Sequence, residues 1–363
     1  MSKIARNDKL TSFQVFSVLA VALISIVGFD LPGTVGAAAG ADGWLSLLLT
    51  GALTAAGVLI VINLGLRFPG RTHYSFGRLL LGRYLGTALT FAYVVYDVVL
   101  VSIVLRIYLD VSIYATLRQT PSGLIVFIML ALTVYTVLQG LLPIARLSEI
   151  TVLLISVLGL TLTGQLRYTE AMVFLPVGSG GVGRILSGII PSLPSFLGLH
   201  LLFVLLPRIH DLKSVKKTAL AGVVFAAAYN TSIFLAVVGF YGIERTLMFE
   251  WPALNYVRTT SLPFVERVDI PILTIWMAVA LVSSYMYFYL ALTGLAETFG
   301  PRCKPFASVI LAGVSYGLVT QMKNLIDIDS LTQLLVFTGI ILDFILPAVL
   351  LALAAWRRKG VKT

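Results

Sequence analysis

The sequence predicts an all-α membrane protein of ten transmembrane helices, arranged as a five-plus-five inverted repeat in which helices 1 and 6 are discontinuous. Three observations carry that expectation. The chain is 58% hydrophobic and 12% charged, with a mean hydropathy of +0.98, far beyond the apolar share of a soluble domain. Its apolar stretches repeatedly reach the about 20 residues that a membrane-spanning helix needs. The first and the sixth of them carry matched interruptions, at Gly28 to Gly33 and at Pro191 to Gly198, the sequence pointer to a small-molecule site between two half-helices near the bilayer midplane.

The spans are expected at 12–38, 43–66, 86–117, 122–141, 147–166, 184–207, 218–241, 268–297, 305–322 and 331–356. Residues 1–363 thus form a single integral membrane domain, with a first five-helix repeat over 1–175 and a second over 176–363. An odd number of spans per half inverts one repeat relative to the other. In span one, Ser25-Ile26-Val27-Gly28-Phe29-Asp30-Leu31-Pro32-Gly33 combines two helix-weakening glycines with a proline that cannot donate to the helix ladder. Span six repeats the device in Pro191-Ser192-Leu193-Pro194-Ser195-Phe196-Leu197-Gly198. Backbone left unpaired in lipid costs several kcal/mol per group, about the strength of a lost hydrogen bond or more, so such segments persist only inside protein or against water or ligand. A pair of simple proline kinks is the plainer alternative, and the matching positions of the two breaks weigh against it.

Charge orients the bundle. Of 26 Lys and Arg, 18 fall on the side that holds Lys3, Arg6, Arg67, Arg78, Arg208 and Arg357, and 8 on the other. With an even number of spans this places both termini in the cytoplasm. The same asymmetry accounts for the net charge of +10 without nucleic acid as a partner. The apolar run at 13–29 is too long for a signal-peptide core and is followed by Asp30 and Pro32, so it is kept as the first span. The single cysteine, Cys303, excludes an intramolecular disulfide, and three scattered histidines build no metal site or catalytic constellation. No cofactor and no enzymatic activity are expected.

A half-helix N-terminus suits a carboxylate and a half-helix C-terminus suits an ammonium, so the paired breaks fit an amino acid. The carbonyls of Ser25 to Val27, the amides of Gly28 to Asp30, and Ser192, Ser195, Phe196 and Leu197 are the candidates at the breaks. At about 1.5 Å per residue, Tyr96 and Asp97 fall at mid-bilayer on span three, as do Tyr229 and Asn230 on span seven, Ser283, Ser284 and Tyr285 on span eight, and Asp343 on span ten. Intramembrane acids are costly and mark function by default. Asp97, Asp343 and, nearer the outer surface, Asp30 are therefore proton or ion coupling candidates. The plain alternative for Asp97 and Asp343 is a packing hydrogen bond to a neighbouring helix.

Weaker signals receive plainer readings. Arg106 and Asp110, one turn apart, read as a solvated pair. His200 reads as a histidine that donates to a backbone carbonyl rather than as a proton relay. The run Gly178 to Gly183 reads as a flexible loop, since it lacks the Lys and Ser or Thr of a phosphate loop. The pairs Gly36 with Gly40 and Gly82 with Gly86 read as tight helix packing within the bundle.

The outer stretch Trp251-Pro252-Ala253-Leu254-Asn255-Tyr256-Val257-Arg258, followed by Leu262-Pro263-Phe264-Val265-Glu266-Arg267-Val268-Asp269 and Trp276, resembles the Pro, Arg, Phe-Leu-Glu-Arg-x-Asp and Trp pattern of the spore-germination permease family, the B subunits of nutrient germinant receptors. The broken first span leading to Leu31-Pro32, then Trp44, then Arg67-Phe68-Pro69-Gly70, is similar to that family too. The resemblance spans the whole chain. It implies a LeuT/APC-like fold, that of the amino acid, polyamine and organocation transporters. It also implies a role in sensing an amino acid or similar nutrient, in complex with an A subunit and a lipoprotein C subunit in the spore inner membrane. The pocket it implies is formed by Val27, Gly28, Tyr96, Leu100, Phe196, Leu197 and Ser284, beside Ser195 from the break itself. Asp30 departs from the small or apolar residues of the family pattern and would favour a ligand with a second cationic group. A proton-coupled transporter of an amino acid or amine is the other functional class.

Overall fold

Thr11 starts the first helix, α1 (Ser12–Ile24), with a reciprocal cap. The Gln14 N–H donates to the Thr11 hydroxyl at 3.2 Å, and the Thr11 N–H donates to Gln14 Oε1 at 3.1 Å, which satisfies two of the donors a helix start leaves open. Just before it, Leu10 forms an isolated parallel bridge with Ile209, through Leu10 N to Arg208 O at 2.7 Å and His210 N to Leu10 O at 3.0 Å. The computed structural model describes residues 9–25, 28–163, 170–259, 269–322, 325–357 and 359–360.

After Ser25, whose hydroxyl donates to the Ala22 carbonyl at 3.1 Å, the chain resumes as a 3-10 turn at Gly28–Asp30 and continues as α2 (Leu31–Ala39). Pro32 lies in the first turn of α2, where its missing N–H removes no helical bond. Then follow α3 (Gly43–Arg67), α4 (His73–Leu81), α5 (Arg83–Ala115), α6 (Ser122–Leu138) and α7 (Leu141–Thr163). The second half opens with α8 (Gly181–Ser187), α9 (Ile189–Ser192) and a 3-10 turn at Leu193–Phe196. Beyond this second break come α10 (Leu201–Leu205), α11 (Val215–Thr246), α12 (Pro252–Thr259), α13 (Asp269–Phe299), α14 (Lys304–Gln321) and α15 (Leu325–Gly339). A π-helical turn at Ile340–Ile345 joins α15 to α16 (Leu346–Trp356).

Among the described residues, eight continuous helical stretches are long and apolar enough to cross a membrane, and α1 and α6 are shorter apolar helices. Most ends of the expected spans lie within about three residues of a helix end, but the fifth and tenth start six residues later than α7 and α15, the seventh stops five residues before α11 does, and α2 and α3 run on as one apolar stretch, Leu31–Arg67, across the expected gap at 39–42. Two short helices, α4 and α12, occupy stretches that the sequence reading left as connections. Large apolar side chains such as Leu53, Phe127, Val157 and Val309 are exposed around the bundle, as a lipid-facing surface requires. The centre is built on α5 and α13, where Tyr93, Tyr287 and Phe288 are fully buried. A smaller cluster of Leu31, Val35, Leu47, Phe196 and Phe234 packs α2, α3 and α11 around the second break.

The Gly82 and Gly86 spacing has a structural cause. Gly82 ends α4 at φ +87, in the left-handed region where glycine is unstrained. A Cβ on Gly86 would press into the backbone of Arg78, so this glycine sets how closely α4 and α5 approach. Gly86→Ala is expected to destabilise the protein by about 1–3 kcal/mol. A lower melting temperature of the purified protein reads this out, and an unchanged one would mean that the two helices can part freely. The glycine run at 178–183 departs from the flexible loop expected of it. The Gly178 N–H donates to Asp42 Oδ1 at 2.9 Å, and α8 begins at Gly181.

Candidate functional site

The second break exposes backbone at a defined place. Leu197 is extended, Gly198 stands at φ +94, and the chain turns through Leu199 and His200 into α10. The Gly198 N–H donates to Asp343 Oδ2 at 2.7 Å, and the His200 N–H donates to Asp343 Oδ1 at 3.1 Å. A carboxylate thus takes up the amides that the break leaves unpaired, the chemistry of an anion at a helix start. Asp343 reaches them from the π turn. Pro347 has no N–H for the carbonyl four residues back, which is that of Asp343, and the ladder widens there.

Asp343 also binds side chains. Its Oδ2 accepts from the Tyr96 hydroxyl at 3.1 Å, and its Oδ1 lies 2.7 Å from His200 Nδ1. The opposite ring nitrogen, Nε2, lies 2.8 Å from Asp97 Oδ1. Asp97, His200 and Asp343 are all fully buried. Tyr93 adds a bond from its hydroxyl to the Leu342 carbonyl at 2.7 Å, so α5 is fastened to the π turn twice, one helical turn apart. Asp97 Oδ2 and both ring nitrogens of His73 are buried without a hydrogen-bond partner among the described residues.

The sequence reading placed Tyr96, Asp97 and Asp343 at one depth, and the structure brings them together. It corrects the reading of His200, which donates to no lone carbonyl but stands between two carboxylates. The reason lies in the unwound chain at Leu197 and Gly198, which swings the imidazole toward α5. The Arg106 and Asp110 pair is corrected too. It is closed at 2.8 Å with side chains only 13% and 17% exposed, and Arg106 Nη1 reaches the Val319 carbonyl at 3.5 Å, so protein rather than solvent surrounds it.

The remaining candidates divide between two places. Tyr96, Leu100 and Leu197 belong to the central apolar cluster. A Cβ on Gly339 would stand 2.5 Å from Leu197 Cδ2 and 2.6 Å from the Tyr96 hydroxyl, so these two side chains meet over that glycine. Phe196 instead faces Leu31, Val35, Leu47 and Phe234. Ser195 is buried, and the Ser284 hydroxyl is turned back to the Ala280 carbonyl at 2.8 Å. Gly28 begins the 3-10 turn of the first break, and Val27 lies outside the described residues. The Tyr287 hydroxyl of α13, beside Gly198, donates to the Ala22 carbonyl of α1 at 3.3 Å.

A cavity of about 650 Å³ lies beyond this buried layer, toward the end of the bundle opposite the chain termini. Its walls come from both breaks, with Asp30 and Thr34 from the first and Pro191 and Pro194 from the second. Thr332 and Phe337 of α15 and Trp251 close it, and its described lining carries the carboxylates Asp30, Glu250 and Asp329 but no basic side chain. The outer motif contributes directly: Trp251 lines the cavity, and Trp276 on α13 packs on Phe29 at 5.1 Å and on Tyr108 at 5.7 Å between ring centroids. Residues 262–268 of the motif lie outside the described residues. The depth count missed this cavity because it placed polar residues by height alone, although the acids at 30, 250 and 329 were visible in the sequence.

Comparison with known proteins agrees with this architecture. Among solved structures, a Na+-coupled sialic acid symporter in a substrate-bound outward-open state matches 93% of this chain and 78% of its own, with a TM-score of 0.65 at 13% identity. That likeness establishes a shared transporter fold and nothing of ligand or ion. Spore germination protein YndE of Bacillus subtilis (strain 168) is 26% identical over 98% of this chain and 99% of its own length. Spore germination protein B2 of the same organism is 25% identical over 89% of each. A family model described as Spore germination protein matches residues 9–327, and this multi-pass membrane protein therefore belongs to that family.

Proposed function

We propose that the protein is the ligand-sensing membrane subunit of a spore nutrient germinant receptor. It binds an amino acid or similar small nutrient between the breaks of two discontinuous helices, in a ten-span, five-plus-five inverted repeat. The observation that carries the reading is the cavity walled by both breaks, in a chain of a germination family. Its ligand enters past Asp30, Glu250 and Asp329, a set of carboxylates that attracts an amine. It then meets the layer of Tyr96, Leu100 and Leu197, with Val27, Gly28, Ser195, Phe196 and Ser284 as further candidate contacts once that layer parts. An A subunit and a lipoprotein C subunit are the partners in this reading, and the spore inner membrane, with both termini cytoplasmic, is the location.

The test is a stabilisation screen of the purified protein with the standard amino acids and with analogues lacking either the amine or the carboxylate. A true ligand at about a hundred times its Kd adds about 2.7 kcal/mol to apparent stability. Zwitterions are expected to raise the melting temperature and the amine-free analogues to lose the effect. Thr332→Phe, which pushes an aromatic ring into the cavity, should abolish the shift with the unliganded melting temperature unchanged. No stabilising compound, or a shift that survives Thr332→Phe, would overturn the reading.

A proton-coupled secondary transporter of an amino acid or amine is the second reading, favoured by the buried Asp97, His200 and Asp343 at the break. Accumulation in liposomes driven by a proton gradient, and lost in Asp97→Asn, decides for it.

A further inference from the structure

The hydrogen bonds around His200 constrain how many protons the cluster holds. Asp343 meets four donor positions, two on each oxygen: the His200 N–H and ring Nδ1 on Oδ1, the Gly198 N–H and the Tyr96 hydroxyl on Oδ2. Backbone amides can only donate. Every contact in the set is satisfied when Asp343 is ionised and His200 Nδ1 carries a hydrogen. The second ring nitrogen then lies 2.8 Å from Asp97 Oδ1. At that distance one hydrogen must lie between them, on the nitrogen as an imidazolium facing a carboxylate or on the oxygen as a neutral pair. Remove it, and a nitrogen lone pair faces a carboxylate inside a fully buried site.

From this geometry we infer that the contact between His200 Nε2 and Asp97 Oδ1 is a binding site for one exchangeable proton, and that the bound proton clamps the broken sixth span to α5. Asp343 supplies the fixed negative partner on the other ring face and ties the same histidine to the π turn. Losing the proton turns one of the two side-chain links of His200 from attractive to repulsive, while the link to Asp343 remains. The break thereby loses its direct link to α5 and is held through Asp343 alone.

Other ionisable groups face this site. Tyr93 and Tyr96 come from α5, His73 and Tyr74 from α4, and Tyr287 from α13, with Glu297 further along α13 bonded to the Thr72 hydroxyl at 2.6 Å. His73 is the one that matters for assignment, since its ring centroid lies 6.1 Å from that of His200 and histidine is the side chain that titrates near neutrality. Its two ring nitrogens and Asp97 Oδ2 are buried polar atoms with no partner among the described residues, the kind of group a buried water satisfies.

This inference is independent of the nutrient reading, because its test contains no nutrient. The full-length protein in lipid nanodiscs is melted at a series of pH values from about 5 to about 10, spanning free histidine and lysine. The folded contact holds a proton that the parted chain does not, so stability falls as pH rises. The wild type is expected to lose several degrees of apparent melting temperature in a single one-proton step. Asp97→Asn places a permanent N–H against His200 Nε2 and should remove the step, and His73→Gln should keep it at the wild-type midpoint. A wild type without a step, a step that persists in Asp97→Asn, or one that disappears in His73→Gln overturns the assignment. If Asp97→Asn does not fold, infrared difference spectra of the wild type carry the test. An imidazolium or carboxylic acid band must vanish with the midpoint of the step, and its absence overturns the proposal equally.

Discussion

Asp343→Ala should be among the most damaging single substitutions in the chain. It strands the two backbone amides of the second break, the Tyr96 hydroxyl and one ring nitrogen of His200 at once. Breaking a buried ion pair by removing one partner costs about 3–5 kcal/mol, a large part of the 5–15 kcal/mol that typically holds a folded domain together. Asp343→Asn retains one acceptor oxygen but turns an NH2 group toward donors, so its cost should fall between that of the alanine variant and the wild type. Melting temperature and the recovered fraction of monodisperse protein measure both. An alanine variant within about 0.5 kcal/mol of wild type, the range of ordinary surface changes, would show that the amides at Gly198 and His200 find other acceptors.

Gly198→Ala should approach the same severity by a different route. An alanine at φ +94 carries about 1–2 kcal/mol of backbone strain. Its Cβ would stand 2.6 Å from the Tyr287 hydroxyl and 2.8 Å from the ring, and such overpacking adds about 1–3 kcal/mol. Tyr287 cannot retreat freely, since its hydroxyl donates to the Ala22 carbonyl of α1 at 3.3 Å. The combination with Tyr287→Ala should therefore be less destabilised than the sum of the single variants. Strict additivity would mean that the damage is confined to the backbone.

These two residues also mark where sequence reasoning succeeds and where it stops. Both breaks were legible because Gly28, Pro32, Pro194 and Gly198 restrict or weaken a helix locally, whatever packs around them. The common depth of Tyr96, Asp97 and Asp343 was legible because helical rise converts residue count into height. What height cannot supply is direction around the helix axis. His200 was misread for that reason: the turn after Gly198, not a helical repeat, decides where its ring points. The π turn at Ile340–Ile345 was not read either, although Gly339 and Pro347 flank it. Arg106 and Asp110 were assigned to solvent because nothing in their own helix announces that α14 covers them. Phe196 and Leu197 are neighbours in sequence and candidates for one pocket, yet the extended backbone at Leu197 sends them to different apolar clusters.

The π turn has a mechanical consequence. A π turn stores one more residue than an α-helical ladder of the same length needs. Returning that residue to the ladder would rotate everything on one side of it by about 100° and advance it by about 1.5 Å. On one side are Leu346 and the rest of α16; on the other is α15, whose Asp329, Thr332, Val336 and Phe337 form one wall of the cavity. Asp343 sits inside the joint and holds the second break. The α15 and α16 pair is thus a crank with its bearing at the acid: a change in who shares Asp343 can turn the cavity wall without unravelling a helix. Spin labels on α15 and α16 would register that rotation as a change in distance, and fixed distances across all ligand and pH conditions would show the joint to be rigid.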